Sequence, residues 1–245
     1  MGELDGRIAL VTGAARHLGR GVALGLAARG CDVAVHYRTS RREAREAARR
    51  IESLGRRAVA VQADVTDPAQ VVSLVARVTR KLGAPDILVN NVGDYRRATV
   101  EATSPEDWDA VFRSNVTSAF LVSREVARAM AGRGGRIIQI GFASTSILRA
   151  RPGLTAYAAA KAALASFSRS FAMEVAASGI TVNVVNVGYF EHEDTTDAER
   201  ALAARVPLGR LGTVDDLAAV VAFLAGDGAS YLTGNILELS GGFGI

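Results

Sequence analysis

The sequence predicts an α/β fold in which helices cover both faces of one parallel sheet, the doubly wound arrangement. Short apolar segments with strand character alternate with helical segments along the whole chain. Most of these strand segments are unbroken apolar runs, which is typical of parallel strands buried on both faces by crossover helices. No composition shift, repeat or linker divides the 245 residues, so we expect residues 1–245 to form a single domain.

The first half of the chain predicts four strands and three helices. A Gly-rich turn at Thr12–Gly21 joins the first strand to the first helix, and Thr66 or Asp67, with Pro68, has the pattern of a helix N-cap followed by its first residue. We expect strands at Arg7–Val11, Cys31–Tyr37, Arg57–Gln62 and Asp86–Asn90, and helices at Gly19–Arg29, Arg41–Leu54 and Ala69–Leu82.

The second half continues the alternation and brings the sheet to about seven strands. One helix in this half, Pro105–Met130, is unusually long. We expect strands at Gly135–Gly141, Ile180–Val187 and Asn235–Leu239, and helices at Pro105–Met130, Leu154–Ser178 and Val214–Gly226.

The charge balance is basic, because 29 Lys and Arg face 25 Asp and Glu. A basic chain raises the possibility of nucleic-acid binding, but no recognised nucleic-acid motif occurs, so we expect no such partner. The single Cys31 excludes an intramolecular disulfide. No apolar run reaches the roughly 18–20 residues of a membrane span, and no leader pattern follows Met1. We therefore expect a cytoplasmic protein without a membrane partner.

The turn after the first strand has the character of a dinucleotide-binding loop of the Rossmann type. Gly13 and Gly19 occupy the outer positions of a G-x-x-x-G-x-G pattern, and His17 replaces the middle glycine. Such a turn lets backbone N–H groups approach a pyrophosphate at the amino end of a helix. Arg16 and Leu18 lie in the same loop, so we include them among the candidate cofactor contacts.

The end of the second strand predicts which dinucleotide is bound. NAD sites place an acidic residue there for the ribose 2′-hydroxyl, whereas NADP sites favour positive charge. Here Arg38, Thr39 and Ser40 offer a guanidinium and two hydroxyls, without an acid, and Arg16 can add charge. After the third strand, Asp64-Val65 offers a carboxylate for an adenine amino group, a helix cap, or both. The pattern favours NADPH and NADP+.

Tyr157 and Lys161 are spaced to share one face of a helix, and Ser144 precedes Tyr157 by thirteen residues. Together with other motifs they occur in the order and spacing of short-chain dehydrogenases/reductases, which the chain resembles over essentially its whole length. The motifs are Thr12-Gly13 with Gly19, Asp64-Val65, Asn90-Asn91-Val92-Gly93, Asn115, Ser144, Tyr157 with Lys161, Gly234, and Ser240-Gly241-Gly242.

The resemblance implies a set of catalytic roles. Tyr157 would give a proton to the developing alkoxide of a ketone, and the cationic Lys161 would lower the phenol pKa and bind the nicotinamide ribose. Ser144 would orient the carbonyl oxygen, and Asn115 would hold a water that links Lys161 to solvent. The hydride would come from NADPH.

The resemblance also extends the candidate cofactor contacts and implies no metal. The added contacts are Asn91, Gly93, Gly188 and Phe190, beside Tyr157 and Lys161 themselves. The family commonly has proline before the glycine after strand six, and here Val187 precedes Gly188. Cys31 and the three histidines, His17, His36 and His192, show no spacing of metal ligands.

In this family the segment after strand six covers the substrate, so we expect a lid at about residues 188–212. Five acids precede Arg200 in it, which disfavours polyanionic substrates. With Ser144, the candidate pocket residues are Tyr95, Phe142, Tyr189 and His192, which favour a bulky apolar ketone. We expect a polycyclic aromatic ketone, as in the angucycline-type polyketide pathways whose ketoreductases the chain resembles.

Three alternatives stay open at this point. A pteridine reductase would use an aromatic side chain near Tyr95 or Phe142. A 3-oxoacyl carrier-protein reductase would use a basic docking residue where this chain has Met173, although Arg133 and Arg169 remain available. The third is a non-enzymatic NADP sensor. We also expect a homodimer or homotetramer, because related enzymes pair the helices that correspond to Trp108–Met130 and Leu154–Ser178.

Overall fold

The computed structural model describes residues 2–244, apart from the side chain of residue 146, and its centre is one parallel sheet. The strands are β1 (Ile8–Val11), β2 (Asp32–Tyr37), β3 (Ala58–Gln62), β4 (Ile87–Asn90), β5 (Gly135–Phe142), β6 (Ile180–Val187) and β7 (Ile236–Leu239). Their order across the sheet is β3-β2-β1-β4-β5-β6-β7, with every pairing parallel. The predicted doubly wound, seven-stranded fold is confirmed.

The helices begin and end within one turn of their predicted bounds, with one exception. They are α1 (His17–Ala27), α2 (Arg41–Ser53), α3 (Pro68–Lys81), α4 (Pro105–Phe112), α5 (Ser118–Ala129), α6 (Thr155–Val175), α7 (Asp197–Arg200) and α8 (Val214–Ala225). The exception is the long predicted helix, which is divided between α4 and α5 by a π-helical turn at Arg113–Thr117. No helix in residues 2–244 is both long enough and apolar enough to cross a membrane.

Alternate residues of the central strand pack on opposite faces of the sheet. In β1, Ala9 and Val11 belong to the core shared with α1, α2 and α8, whereas Ile8 and Leu10 belong to the core shared with α3 and α5. Leu10 and Val11 are fully buried. This double burial explains why the strand is an unbroken apolar run in the sequence.

The sheet reverses its winding direction at β1. β1 lies between β2 and β4, and Val11 is in register with Val35 on one side and Val89 on the other. The carboxyl ends of these three strands therefore meet at one edge of the sheet. In a doubly wound fold, the crevice at this reversal point is where ligands bind.

Candidate active site

A cleft of about 520 Å³ opens at that edge of the sheet. Most of the predicted cofactor residues line it, so the structure brings together side chains that are far apart in the sequence. Those that line it are Gly13, Arg16, His17, Leu18, Gly19, Arg38, Thr39, Ser40, Asp64, Val65, Asn91, Gly93, Tyr157 and Lys161. Gly188 and Phe190 are outside this lining.

The Gly-rich turn leaves no room for side chains at two of its positions. Gly13 has φ 62°, and a Cβ at Gly19 would lie 2.3 Å from the Gly13 carbonyl oxygen and 2.5 Å from Nδ2 of Asn91. His17 also has a left-handed backbone, with φ 50°, at the position where a glycine was expected. The backbone thus keeps the glycine conformation while the imidazole projects towards the cleft.

The His36 side chain, in β2, holds this turn through a hydrogen bond, a role that the sequence analysis did not identify. The Gly13 N–H donates to its Nδ1 at 3.0 Å, so Nε2 carries the proton and donates to the Ala63 carbonyl at 3.1 Å. The side chain is 1% exposed, and burial lowers its pKa to about 4. The neutral imidazole therefore ties the end of β2 to the cofactor turn and to the end of β3.

We expect His36 to make the protein less stable as the pH falls from 6.5 towards 4. In that window the unfolded chain binds a proton at His36 and the folded protein does not, so the free energy of unfolding decreases by up to about 3 kcal/mol. Urea unfolding at several pH values checks this. In His36→Gln this part of the loss should vanish, whereas His192→Gln should keep it; identical profiles for His36→Gln and wild type would contradict the assignment.

The predicted 2′-phosphate end of the cleft contains one acid that the sequence analysis overlooked. Glu43, in the first turn of α2, accepts a hydrogen bond from Nη2 of Arg16 at 2.6 Å and lies 3.5 Å from Nη2 of Arg42. The guanidinium of Arg38, by contrast, has no ion-pair partner within residues 2–244. Arg38 is therefore the cation best placed to meet a phosphate.

Asp64 combines a structural contact with a place in the cleft. Its Oδ1 accepts hydrogen bonds from the Thr66 hydroxyl at 2.7 Å and the Thr66 N–H at 2.9 Å. These bonds hold the pKa of its carboxyl below the usual range. The helix cap of α3 is made by Asp67 instead, whose carboxylate accepts from the Ala69 N–H at 2.8 Å.

Tyr157 and Lys161 meet at the opposite end of the cleft, on consecutive turns of α6. Nζ of Lys161 donates to the Ile140 carbonyl at 2.7 Å and lies 5.7 Å from the centre of the Tyr157 ring. Burial lowers the pKa of Lys161 to about 8. Burial, reinforced by the neighbouring phenol of Tyr95, raises the pKa of Tyr157, opposite to the lowering expected from Lys161. The reason is that Lys161 is hydrogen-bonded to the backbone and not to the phenol.

Asn115 lies in the π-helical turn, fully buried, with one polar atom unmatched. Its Nδ2 donates to the carbonyls of Val111 at 3.0 Å and Asp94 at 3.1 Å, while its Oδ1 has no hydrogen-bond partner within residues 2–244. A Cβ at Gly93 would lie 2.2 Å from this Oδ1 and 3.3 Å from Nζ of Lys161. The buried acceptor thus faces the ammonium across Gly93, an arrangement that suits a shared water.

Ser144, like the buried Asn115, is a predicted catalytic residue that does not line the cleft. It has a left-handed backbone, and its hydroxyl donates to the Gly244 carbonyl and accepts from Nη2 of Arg151, both at 2.6 Å. The ring of Phe142, at the end of β5, lies next to Tyr157 instead, with 5.2 Å between ring centres. Carbonyl orientation by Ser144 stays a prediction.

The predicted substrate residues divide into two groups. Tyr95 and His192 line the cleft, and the Tyr95 ring lies 5.0 Å from the Tyr157 ring in an edge-on contact. Phe142 contacts Tyr157 but, like Tyr189, lies outside the cleft lining. The aromatic wall is therefore smaller than the sequence indicates.

The three predicted residues that follow strand β6 pack against the end of the chain and its neighbours. A Cβ at Gly188 would lie 2.9 Å from the Cα of Ser240. The ring of Phe190 covers Gly212, and the Tyr189 ring packs 4.5 Å from that of Phe243. Cofactor contacts by Gly188 and Phe190 stay predictions.

Three of the five acids after strand β6 form ion pairs with arginines. Glu193 accepts from the His17 N–H at 3.3 Å and forms an ion pair with Arg20 at 3.0 Å. Glu191 and Asp197 both bind the guanidinium of Arg200, at 3.2 and 3.1 Å. The segment therefore presents less free negative charge than its sequence suggests.

His17 and His192 lie close together in space, which their separation in the sequence did not indicate. Their ring centres are 4.5 Å apart. The atoms of His17, His192 and the exposed Asp194 that are able to bind a metal ion lie within 4.8 Å of one another. Nε2 of His17 is 3.6 Å from the Asp194 carboxylate. These contacts join the cofactor turn to the segment after β6.

Comparisons with known proteins show similarity over nearly the whole chain. The family model described as Enoyl-(Acyl carrier protein) reductase matches residues 13–244. The 3-oxoacyl-(acyl-carrier-protein) reductase FabG of Escherichia coli is 43% identical over 245 residues, covering 98% of this chain and 98% of FabG.

Solved structures with the same fold include two with bound cofactor. The short chain dehydrogenase of Burkholderia cenocepacia in complex with NADP is 37% identical, with a TM-score of 0.91 and 98% coverage of both chains. A blue fluorescent protein from a metagenomic library, in complex with NADPH, is 37% identical with a TM-score of 0.92, covering 99% of this chain and 100% of that one. The chain belongs to the short-chain dehydrogenase/reductase family.

Proposed function

We propose that the protein is an NADPH-dependent reductase of ketones. Its family makes it an oxidoreductase that acts on a carbonyl or hydroxyl group. The observation that carries the proposal is one cleft in which the Gly-rich turn and Arg38 at one end share the lining with Tyr157 and Lys161 at the other. The NADP and NADPH complexes of two relatives support the same cofactor.

The residues of the cleft fit a dinucleotide phosphate. The turn has no space for a side chain at Gly19 and a left-handed backbone at Gly13, which suits close approach of a pyrophosphate to the backbone. The guanidinium of Arg38 forms no salt bridge with the described residues, although its charge acts on the Asp64 carboxylate of the same cleft. Thr39 beside it offers a hydroxyl for a 2′-phosphate. When bound, NADPH supplies the hydride for the reduction.

The protein's own contribution is the proton. Tyr157 carries its proton at neutral pH, as a phenol ordinarily does, and burial raises its pKa further, so the phenol is present in the donor form that a developing alkoxide needs. Lys161, with a pKa near 8, is placed to replace that proton. The unmatched Oδ1 of Asn115 faces Nζ of Lys161 across Gly93 and would accept from a water shared between them. Addition of a hydride and this proton converts the ketone to an alcohol.

A 3-oxoacyl thioester is the substrate class with the stronger support, because FabG is 43% identical to the chain over nearly its whole length. The polycyclic ketone expected from the aromatic residues has weaker support, since Phe142 and Tyr189 lie outside the cleft lining. For a pterin, Tyr95 offers one ring at the cleft. At the position where a carrier-protein reductase has its basic docking residue, Met173 is 79% exposed.

Initial rates of NADPH oxidation with an acetoacetyl thioester, dihydrobiopterin and a polyketide-type quinone test the proposal. We expect the thioester to be reduced fastest, with one alcohol formed per NADPH consumed, and NADPH to be preferred over NADH. Absence of reduction in all three reactions would overturn the reductase function. Faster reduction of the quinone or the pterin would agree with the reductase function but would change the proposed substrate class.

Self-association remains a proposal based on the same family. Trp108 in α4 and Phe120 in α5 are 39% and 38% exposed, which leaves apolar surface on the helices expected to pair. Light scattering of the purified protein distinguishes a monomer from a dimer or tetramer.

A further inference from the structure

A second cavity, of about 600 Å³, lies beside the end of the chain and contains four arginines. We call it the arginine basin: it is lined by the side chains of Arg97, Arg149, Arg151 and Arg205, and by the rings of Tyr189 and Phe243. No acidic residue of the described chain is in its lining. The four arginines come from three separate segments, so their convergence is a result of the fold.

Like Arg38, and unlike three other arginines near the cleft, the basin arginines form no ion pairs with carboxylates of the described residues. Arg16 is paired with Glu43, Arg20 with Glu193 and Arg200 with Glu191. None of the four basin guanidiniums forms an ion pair within residues 2–244. Gathering like charges without counterions is unfavourable in the free protein, and a cavity lined by one sign of charge concentrates ions of the opposite sign.

The basin also offers contacts for the apolar part of a ligand. The Phe243 ring lies near two guanidiniums, with Cζ of Arg151 at 5.1 Å and Cζ of Arg205 at 5.9 Å from its centre. The Tyr189 ring packs against Phe243 and lies 5.9 Å from Cζ of Arg205. Nε of Arg151 is buried and has no hydrogen-bond partner in the described chain.

The basin adjoins the proposed proton donor. The Arg151 guanidinium lies 5.4 Å from the Phe142 ring centre, and that ring lies 5.2 Å from Tyr157. Leu154 lines the basin and caps the amino end of α6, whose first turn contains Tyr157. A ligand group in the basin is thus separated from Tyr157 by one ring or by one helical turn.

We propose that the arginine basin binds an oxyanion, a phosphate or carboxylate group, that is part of the ketone substrate. The inference rests on the proposed reductase function and names the substrate class for it. The planar guanidinium matches either oxyanion with paired hydrogen bonds, and the two rings cover the carbon chain beside it. It also reverses the expectation, drawn from the acids of the lid, that anionic substrates are disfavoured, because three of those five acids are paired with arginines.

Matched pairs of anionic and neutral ketones test this. For a carboxylate the pair is 7-oxooctanoate and its methyl ester; for a phosphate it is acetoacetyl coenzyme A and the acetoacetyl thioester of N-acetylcysteamine. All are assayed with saturating NADPH in the wild type, Arg149→Gln, Arg205→Gln and the double variant. Arg80→Gln on α3 is the control for loss of one positive charge, since Arg80 is exposed and distant from the basin lining. Arg151 is left unchanged because it binds Ser144.

We expect wild type to prefer at least one anionic member, which also identifies the oxyanion. That preference should fall about threefold in each single variant and about tenfold in the double variant, and it should weaken with added salt. Arg80→Gln should keep it. The basin assignment would be overturned if wild type had equal kcat/KM for the anionic and the neutral member of both pairs. It would also be overturned if the variants lost as much kcat/KM for the neutral member of a pair as for the anionic one.

Calorimetry separates this inference from the function on which it rests. With NADP+ present, wild type should bind 7-oxooctanoate or acetoacetyl coenzyme A more tightly than the double variant does, whether or not turnover is seen. Reduction of the neutral ketones with equal binding by wild type and double variant would refute the basin alone. Failure to reduce any ketone, with the binding difference retained, would refute the reductase and leave the oxyanion site.

Discussion

Replacing Tyr157 with phenylalanine is expected to lower kcat by about a thousandfold while NADPH binding is retained. Phenylalanine keeps the ring that packs against Tyr95 and Phe142 at 5.0 and 5.2 Å, so the buried site retains its shape. The variant loses the hydroxyl, and with it the proton that we propose is transferred to the carbonyl oxygen. Because that proton is needed only as negative charge develops, the loss appears in turnover and not in cofactor affinity.

The measurement combines ketone reduction with a fluorescence titration of NADPH. Tyr231→Phe is a matched control, since Tyr231 is fully exposed at 101% and its hydroxyl has no contact recorded in the described chain. It should leave both quantities unchanged. A Tyr157→Phe variant that turns over at a similar rate to wild type would contradict the assigned proton donor. A variant that loses NADPH binding as well would point to a structural role.

The sheet was predictable because burial on both faces leaves a direct record in the sequence. Ile8–Val11 is apolar at every position, since its side chains enter two cores alternately. The division of the helix Pro105–Met130 was not predictable in the same way. The π turn at Arg113–Thr117 preserves the helix direction and only shifts its face, and apolar periodicity over a long helix does not locate such a turn.

A larger share of the predicted cofactor residues than of the predicted substrate residues lines the cleft, and this has a physical reason. Glycine is required at Gly13 and Gly19 because neighbouring atoms and the backbone conformation of the turn do not suit a side chain there. This requirement is local. Ser144 was located by its spacing from Tyr157, but its orientation depends on a contact with Gly244 at the far end of the chain. Sequence spacing gives the position of such a side chain along the backbone and not the direction in which it points.

Charge posed a related difficulty. The lid appeared acidic because its acids were counted one by one, although Glu193 is committed to Arg20 and Glu191 to Arg200. The same applies to Arg16, which was expected to add positive charge at the 2′-phosphate end and is instead paired with Glu43. Net electrostatic character depends on pairing, and pairing between separate segments requires the fold.

This pairing makes Arg38 decisive for cofactor choice. Arg38→Asp is expected to lower the ratio of kcat/KM for NADPH to that for NADH by about a hundredfold, because it removes a charged hydrogen-bond donor and adds a carboxylate that repels the phosphate. Asp at this position would also accept from the ribose hydroxyls of NADH, as acids do in NAD sites. Arg16 is not free to compensate while its guanidinium is held by Glu43 at 2.6 Å.

Steady-state kinetics with both cofactors, at fixed ketone concentration, give the ratio. Arg42→Asp is the matched control: it makes the same charge change four residues away, on a side chain that is 87% exposed and close to Glu43. A general effect of negative charge near α2 would change both variants alike, whereas a direct phosphate contact changes Arg38→Asp far more. A ratio unaltered in Arg38→Asp would place the 2′-phosphate elsewhere. A large change in both would mean that the potential of this end of the cleft, and not one guanidinium, selects NADPH.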